Sequence, residues 1–164
     1  MKNGYRLNTG FLSTPDLCRV LADYGHTDTA YRLLLQEDWP GWLYAVRHGA
    51  TTIWETWDGV RPDGTVHDSL YHYSYGAISG WLLYGVCGIG LKAGNLTVKP
   101  QPHPSLGFAE AERRTPFGTI RSAWRYEDDR LIVDISVPVP ALIQLPNGEK
   151  HDVDPGEYYY EVHL

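Results

Sequence analysis

Apolar positions between residues 12 and 36 recur at the spacing of amphipathic helices. Thr14 followed by Pro15 places an N-cap ahead of a proline in the first helical turn. Leu17, Cys18, Leu21 and Ala22 then line one face until Tyr24-Gly25 ends the run. Thr27 or Asp28 caps a second helix with Ala30, Leu33 and Leu34 on its apolar side, flanked by Tyr31 and Leu35 and ending near Glu37-Asp38. The two segments predict a helical hairpin. Residues 74–87 predict a third helix, apolar almost all round despite its glycines, and such a helix must be buried on several sides.

From about Asn95 the pattern reverses. Prolines cluster at Pro100, Pro102 and Pro104, and short β-rich runs follow at residues 120–126, 131–137, 141–145 and 157–162. Ile120, Ser122, Trp124 and Tyr126 alternate as strand residues do. Asp128-Asp129-Arg130 and Pro146-Asn147-Gly148-Glu149 supply turn chemistry between runs. These signals predict an α+β chain in two parts: helices over residues 1–94, and an antiparallel β-sandwich or jelly-roll-like module over residues 95–164.

Composition sharpens the class. The 164 residues suffice for one ordinary domain or two small ones. With 43% hydrophobic and 21% charged residues and no apolar run of membrane-spanning length, the chain reads as soluble and globular, neither membrane-embedded nor disordered. Its formal charge is −6 and its basic residues are scattered, which argues against a nucleic-acid surface and for a neutral partner. Cys18 and Cys87 sit far apart in apolar surroundings, the pattern of buried free thiols. The residues after Met1 lack the layout of a signal peptide, so a cytoplasmic location is expected. The seven histidines are dispersed and no pair has zinc-site spacing, so neither a metal nor a cofactor is expected.

Aromatic residues reach 13%, and five of the six tryptophans precede residue 95. Flat rings with a polar edge suit protein cores and also suit stacking on the apolar face of a sugar. Between the second and third predicted helices, Glu55 lies between Trp54 and Trp57 with Asp58 three residues on, and Trp42 precedes them. A carboxylate among apolar ring contacts is what glycoside cleavage requires, although the same carboxylate also fits a surface or helix-capping position. Asp58-Gly59 reads more simply as a turn.

Four stretches carry a family resemblance. They are Leu7-Asn8-Thr9-Gly10-Phe11-Leu12-Ser13-Thr14-Pro15, Trp39-Pro40-Gly41-Trp42-Leu43-Tyr44, Gly49-Ala50-Thr51-Thr52-Ile53-Trp54-Glu55-Thr56-Trp57-Asp58-Gly59 and His72-Tyr73-Ser74-Tyr75-Gly76-Ala77-Ile78. In order, they resemble the C-terminal portion of bacterial α-L-rhamnosidases of glycoside hydrolase family 78. Residues 115–124 and 137–141 resemble that family's C-terminal β-sandwich. The resemblance implies part of an (α/α)₆ barrel followed by the sandwich, and removal of terminal α-L-rhamnose with inversion. It also implies that Glu55 is the general base, that His72 contacts the sugar hydroxyls, and that Trp42, Trp54 and Trp57 help wall the pocket. Without the resemblance, His72 reads as a structural histidine.

Two positions depart from the family pattern: Thr56 stands where Arg is usual, and Tyr71 where Asn is common. The family's general acid lies in an upstream segment that this sequence does not contain. Asp58 is too close to Glu55 for an inverting pair if the segment is helical, and Asp63 and Asp68 lie in a Gly/Pro-rich stretch. The sequence therefore predicts a C-terminal fragment of an inverting α-L-rhamnosidase that is inactive alone. The alternative is a non-catalytic rhamnose- or carbohydrate-binding protein, or an assembly protein. The expected partner is a rhamnose-containing glycoside. The apolar surface that three helices cannot cover among themselves predicts a homo-oligomer or association with the missing barrel helices.

Overall fold

A computed structural model describes residues 4–92 and 94–163. The chain divides into two compact units, Met1–Ser79 and Gly80–Leu164.

In the first unit the predicted hairpin is present as α1 (Thr14–Asp23) and α2 (Thr27–Leu34). Cys18 and Ala22 of α1 are buried, as are Ala30, Tyr31, Leu33 and Leu34 of α2. The helix starts differ from the sequence reading. Ser13, not Thr14, occupies the N-cap of α1 and makes no side-chain cap bond. Thr14 is fully buried, and its hydroxyl donates to the Thr9 carbonyl at 3.0 Å, tying the Gly10-containing entry loop to the helix. His26 precedes α2 in the same uncapped way. A short helix not read from the pattern, α3 (Trp42–Arg47), follows, and Gly49 at φ +79° turns the chain out of it.

The predicted helix over residues 74–87 is not continuous. It is broken into α4 (Tyr73–Gly76), α5 (Ile78–Trp81) and a π-helical turn, Leu82–Val86, and the chain enters the second unit within α5. The cause of the π turn is local. A Cβ on Gly85 would lie 2.3 Å from Nε1 of Trp81, so only glycine lets the indole cross the backbone there. Carbonyls that a longer helix would use internally instead accept from sandwich side chains: Trp124 Nε1 donates to Val86 O at 2.8 Å, and Ser122 Oγ to Cys87 O at 2.6 Å.

The second unit is a sandwich of two four-stranded sheets. One holds β1 (Ile89–Lys92), β2 (Asn95–Val98), β6 (Ala141–Gln144) and β7 (Lys150–Val153), in that spatial order. The other holds β3 (Phe108–Thr115), β4 (Gly118–Glu127), β5 (Arg130–Val137) and β8 (Gly156–His163). Every pairing is antiparallel except β2 with β6, which runs parallel through Leu96↔Ala141, Thr97↔Leu142 and Val98↔Ile143. The core is the inward set: Ile89, Leu96, Val98, Ile120, Trp124, Leu131, Val133, Ile143 and Val162, all at most 2% exposed.

Both cysteines are free and buried. Burial pushes the Cys18 thiol up to about 12, and burial with the Glu110 charge pushes Cys87 up to about 11, against an ordinary 9.0. Neither should react with a thiol reagent at pH 8 until the protein is unfolded. The folded state holds these protons more tightly, so their contribution to stability is complete below pH 9 and is lost as pH rises toward 11 and 12. The urea midpoint should fall across that window. A midpoint that held level, or a thiol that titrated in the native protein, would refute the burial of these groups.

Candidate functional site

The segment after α3 is not helical. Residues 51–59 form bends and turns held by cross-bonds to residues 69–72. Glu55 N–H donates to Ser69 O at 2.9 Å, Ser69 N–H donates back to Glu55 Oε2 at 3.2 Å, and His72 N–H donates to Ile53 O at 2.8 Å. The Thr52 hydroxyl donates to the Leu70 carbonyl. This pairing fixes Glu55 and His72 on facing segments of one loop pair, seventeen residues apart in sequence.

Glu55 is half-buried, and Ser69 holds one of its oxygens while Oε1 has no partner among the described residues. A carboxylate held by one oxygen and open at the other can accept a proton from a water molecule in a fixed direction.

His72 precedes α4, and its Nδ1 accepts from the N–H of Ser74 at 3.3 Å, an N-cap bond that sets the ring. The imidazole stacks on Phe11 (4.7 Å between centroids, 23°) and on Tyr73 (5.0 Å, 19°). Phe11 also packs against Tyr75 (5.4 Å), Tyr75 lies flat on Trp57 (3.9 Å, 8°), and Trp57 meets the edge of Trp42 (5.4 Å, 88°). Trp42 Nε1 donates to the Tyr75 carbonyl at 2.9 Å. A continuous column of rings thus joins His72 to Trp57 and Trp42. Its two linking members, Phe11 and Tyr75, lie inside stretches singled out in the sequence, but nothing in the local pattern distinguished them from core aromatics. Burial raises the Tyr75 phenol above its ordinary value, so it stays protonated.

Trp54 stands apart from the column. It is 5% exposed and covers Gly59, where a Cβ would lie 3.0 Å from the indole. Trp42, Val46, Ile53, Trp54, Thr56 and Trp57 line part of a cavity of about 250 Å³, and the buried Thr56 hydroxyl finds no partner in it. Neither Glu55 nor His72 lines that cavity. A second hollow of about 590 Å³ shares Trp57 and Tyr75 and is edged by Arg6, Asn8 and Trp39.

The other carboxylates of this unit have partners. Asp16 and Asp23 pair with Arg19, Glu37 with Arg47, Asp38 with Arg6, and Asp58 with Arg61. Asp68 pairs with His67 at 2.9 Å. Asp63 accepts from the side chain and then the backbone of Thr65, bonds that lower it below the ordinary carboxylate range. Among the described residues no group of three or more His, Cys, Asp or Glu side chains is placed to hold a metal ion, and no helix is long and apolar enough to cross a membrane.

Residues 1–86 match the family described as the bacterial alpha-L-rhamnosidase 6 hairpin glycosidase domain, and residues 94–159 match the bacterial alpha-L-rhamnosidase C-terminal domain. An alpha-L-rhamnosidase of Formosa agariphila is 39% identical in an alignment 161 residues long that covers 90% of this chain and 17% of that protein. The chain spans less than a fifth of the length of that relative. The structure of Streptomyces avermitilis alpha-L-rhamnosidase complexed with L-rhamnose superposes with a TM-score of 0.89 at 30% identity, covering 98% of this chain and 18% of that one. Native alpha-L-rhamnosidase from Aspergillus terreus gives 0.93 at 31% identity, with 98% and 20% covered. Helices carrying the Glu55 loop, then a sandwich, in the order of those two domains, place this chain in the bacterial α-L-rhamnosidase family, where it corresponds to a C-terminal portion.

Proposed function

We propose that this chain supplies the base side of an inverting α-L-rhamnosidase site, with Glu55 as general base. The observation that supports the reading is the cross-bonded loop pair, which orients the Glu55 carboxylate through Ser69 and ties the His72 backbone to Ile53, two residues before Glu55. Glu55 takes a proton from the water that attacks the anomeric carbon, while a separate carboxylic acid protonates the leaving oxygen from the opposite face. His72 binds sugar hydroxyls, and Trp57, backed by Tyr75 and flanked by Trp42, forms the apolar wall. Trp54 anchors the loop.

The acid is not supplied by this unit. Its remaining carboxylates are engaged, and Asp63 is shifted in the direction opposite to what an acid needs. The acid therefore belongs to further helices of the barrel. The same reading explains why Leu12, Tyr24, Tyr71 and Tyr73 are each at least 80% exposed in this unit. The purified chain should release no aryl alcohol from an aryl α-L-rhamnoside, with or without Glu55→Gln. Turnover by the chain that Glu55→Gln abolished would show that the acid lies within it and overturn this division of labour.

A further inference from the structure

We infer that the end of the β1-β2-β6-β7 sheet at which β2 and β6 begin carries a second, non-catalytic site for a neutral sugar ring, with Phe117 as its stacking platform. The ligand class rests on the glycoside reading above, but the site is built from residues far from Glu55 in sequence and confined to the sandwich unit.

The floor follows from strand register. Thr97 pairs with Leu142, and Leu142 with Asp152, so these three side chains lie in one row across β2, β6 and β7 on the face away from the buried Leu96, Val98, Ala141 and Ile143. Asn95, two residues before Thr97, shares that face. The row opens at the sheet's end into a hollow of about 780 Å³, which Leu96 and Ala141 reach from the other side of the sheet and which Phe117, Pro140 and Asp154 also line.

Phe117 is 68% exposed on a turn whose backbone is held in place. Its N–H donates to Thr115 Oγ1 at 3.2 Å, and the same hydroxyl donates to Gly118 O at 2.7 Å, closing the β3–β4 turn on itself. The turn is seated on Pro138, since a Cβ on Gly118 would lie 2.7 Å from Pro138 Cβ. A large apolar ring carried into solvent on a fixed backbone suits a stacking platform. The carboxylates of Asp152 and Asp154 are exposed and make no hydrogen bond or ion pair among the described residues, so their oxygens are open to adjacent hydroxyls. Among the described residues no Lys or Arg lines the hollow, which disfavours an anionic ligand. Apolar ring on one side and paired acceptors on the other match a neutral pyranose.

The test is amide NMR of the full chain titrated with methyl α-L-rhamnoside, with sodium glucuronate and N-acetyl-lysine amide as anionic and cationic comparisons. Saturable shifts from the rhamnoside should appear at residues 95–97, 117–118 and 152–154, persist in Glu55→Gln, and weaken roughly tenfold in Phe117→Ala and in Asp152→Asn. Unchanged melting of Phe117→Ala would show that the loss is not unfolding. Shifts confined to the loops of Glu55 and His72 would overturn this site while leaving the catalytic reading intact. So would shifts at the sandwich from the lysine amide alone, which would mark a surface for cationic groups, or shifts there that survive both substitutions.

Discussion

Glu55→Gln is expected to lower kcat by about 10²- to 10⁴-fold when this chain replaces the corresponding segment of the Streptomyces avermitilis relative, with KM changed little. Glutamine keeps the volume of glutamate and keeps an oxygen for the Ser69 N–H, so the loop pair of residues 52–55 and 69–72 should survive. What it loses is the capacity to take a proton. A kcat loss at constant KM and unchanged melting is therefore the signature of a base. Steady-state kinetics of the chimaera beside its Gln variant gives the answer, and a rise in KM with kcat preserved would assign Glu55 to binding instead.

Gly88→Ala should cost the sandwich unit about 3 kcal/mol or more. Gly88 sits at φ +73°, where any other residue is strained, and a Cβ there would lie 2.1 Å from the Lys99 carbonyl carbon and 2.2 Å from Pro100 N. Those atoms are backbone, held by the bond from Lys99 N–H to Gly88 O at 2.9 Å, so they cannot move aside as a side chain would. Gly148→Ala separates the two effects. It shares the positive φ (+92°) but meets nothing within 4 Å, and it should cost only about 1–2 kcal/mol. Urea unfolding of both variants measures the difference. Equal costs would mean that the clash at Gly88 relaxes away.

How much of this was legible beforehand varies with the physics of each element. The α1–α2 hairpin and strands β4, β5 and β6 announce themselves because each buries apolar side chains, and β8, an edge strand that buries only Val162, because Tyr158, Tyr160 and Val162 alternate with more exposed residues. Strands β1, β3 and β7 lie at sheet edges; β3 reads Phe-Ala-Glu-Ala-Glu-Arg-Arg-Thr, and such a charged, half-solvated edge resembles a loop or helix in sequence. The helix over residues 74–87 looked continuous because its composition is apolar throughout. What breaks it is the Trp81 ring lying over Gly85 four residues on, together with Trp124 and Ser122, which take its last carbonyls across separations of 38 and 35 residues. In the candidate site, Glu55, His72, Trp42, Trp54 and Trp57 come from the family resemblance of their stretches. The bond from Ser69 and the ring contacts of Phe11 and Tyr75 could not be read there, because they arise only when residues 69–72 and the loop before α1 are folded against the Glu55 segment.

The most direct measurement is chemical rescue of a Glu55→Ala chimaera by azide. Azide needs no base to attack, and the space left by the side chain admits it on the face where water would have stood. If Glu55 is the base of an inverting site, azide restores turnover and the product is the β-L-rhamnosyl azide, of configuration opposite to the substrate. Because azide replacing the nucleophile of a retaining site would also give the β-azide, the unsubstituted chimaera is read beside it and should release β-L-rhamnose first; α-L-rhamnose released first, an α-configured azide, or no rescue in a folded, rhamnose-binding chimaera would contradict Glu55 as the base of an inverting site.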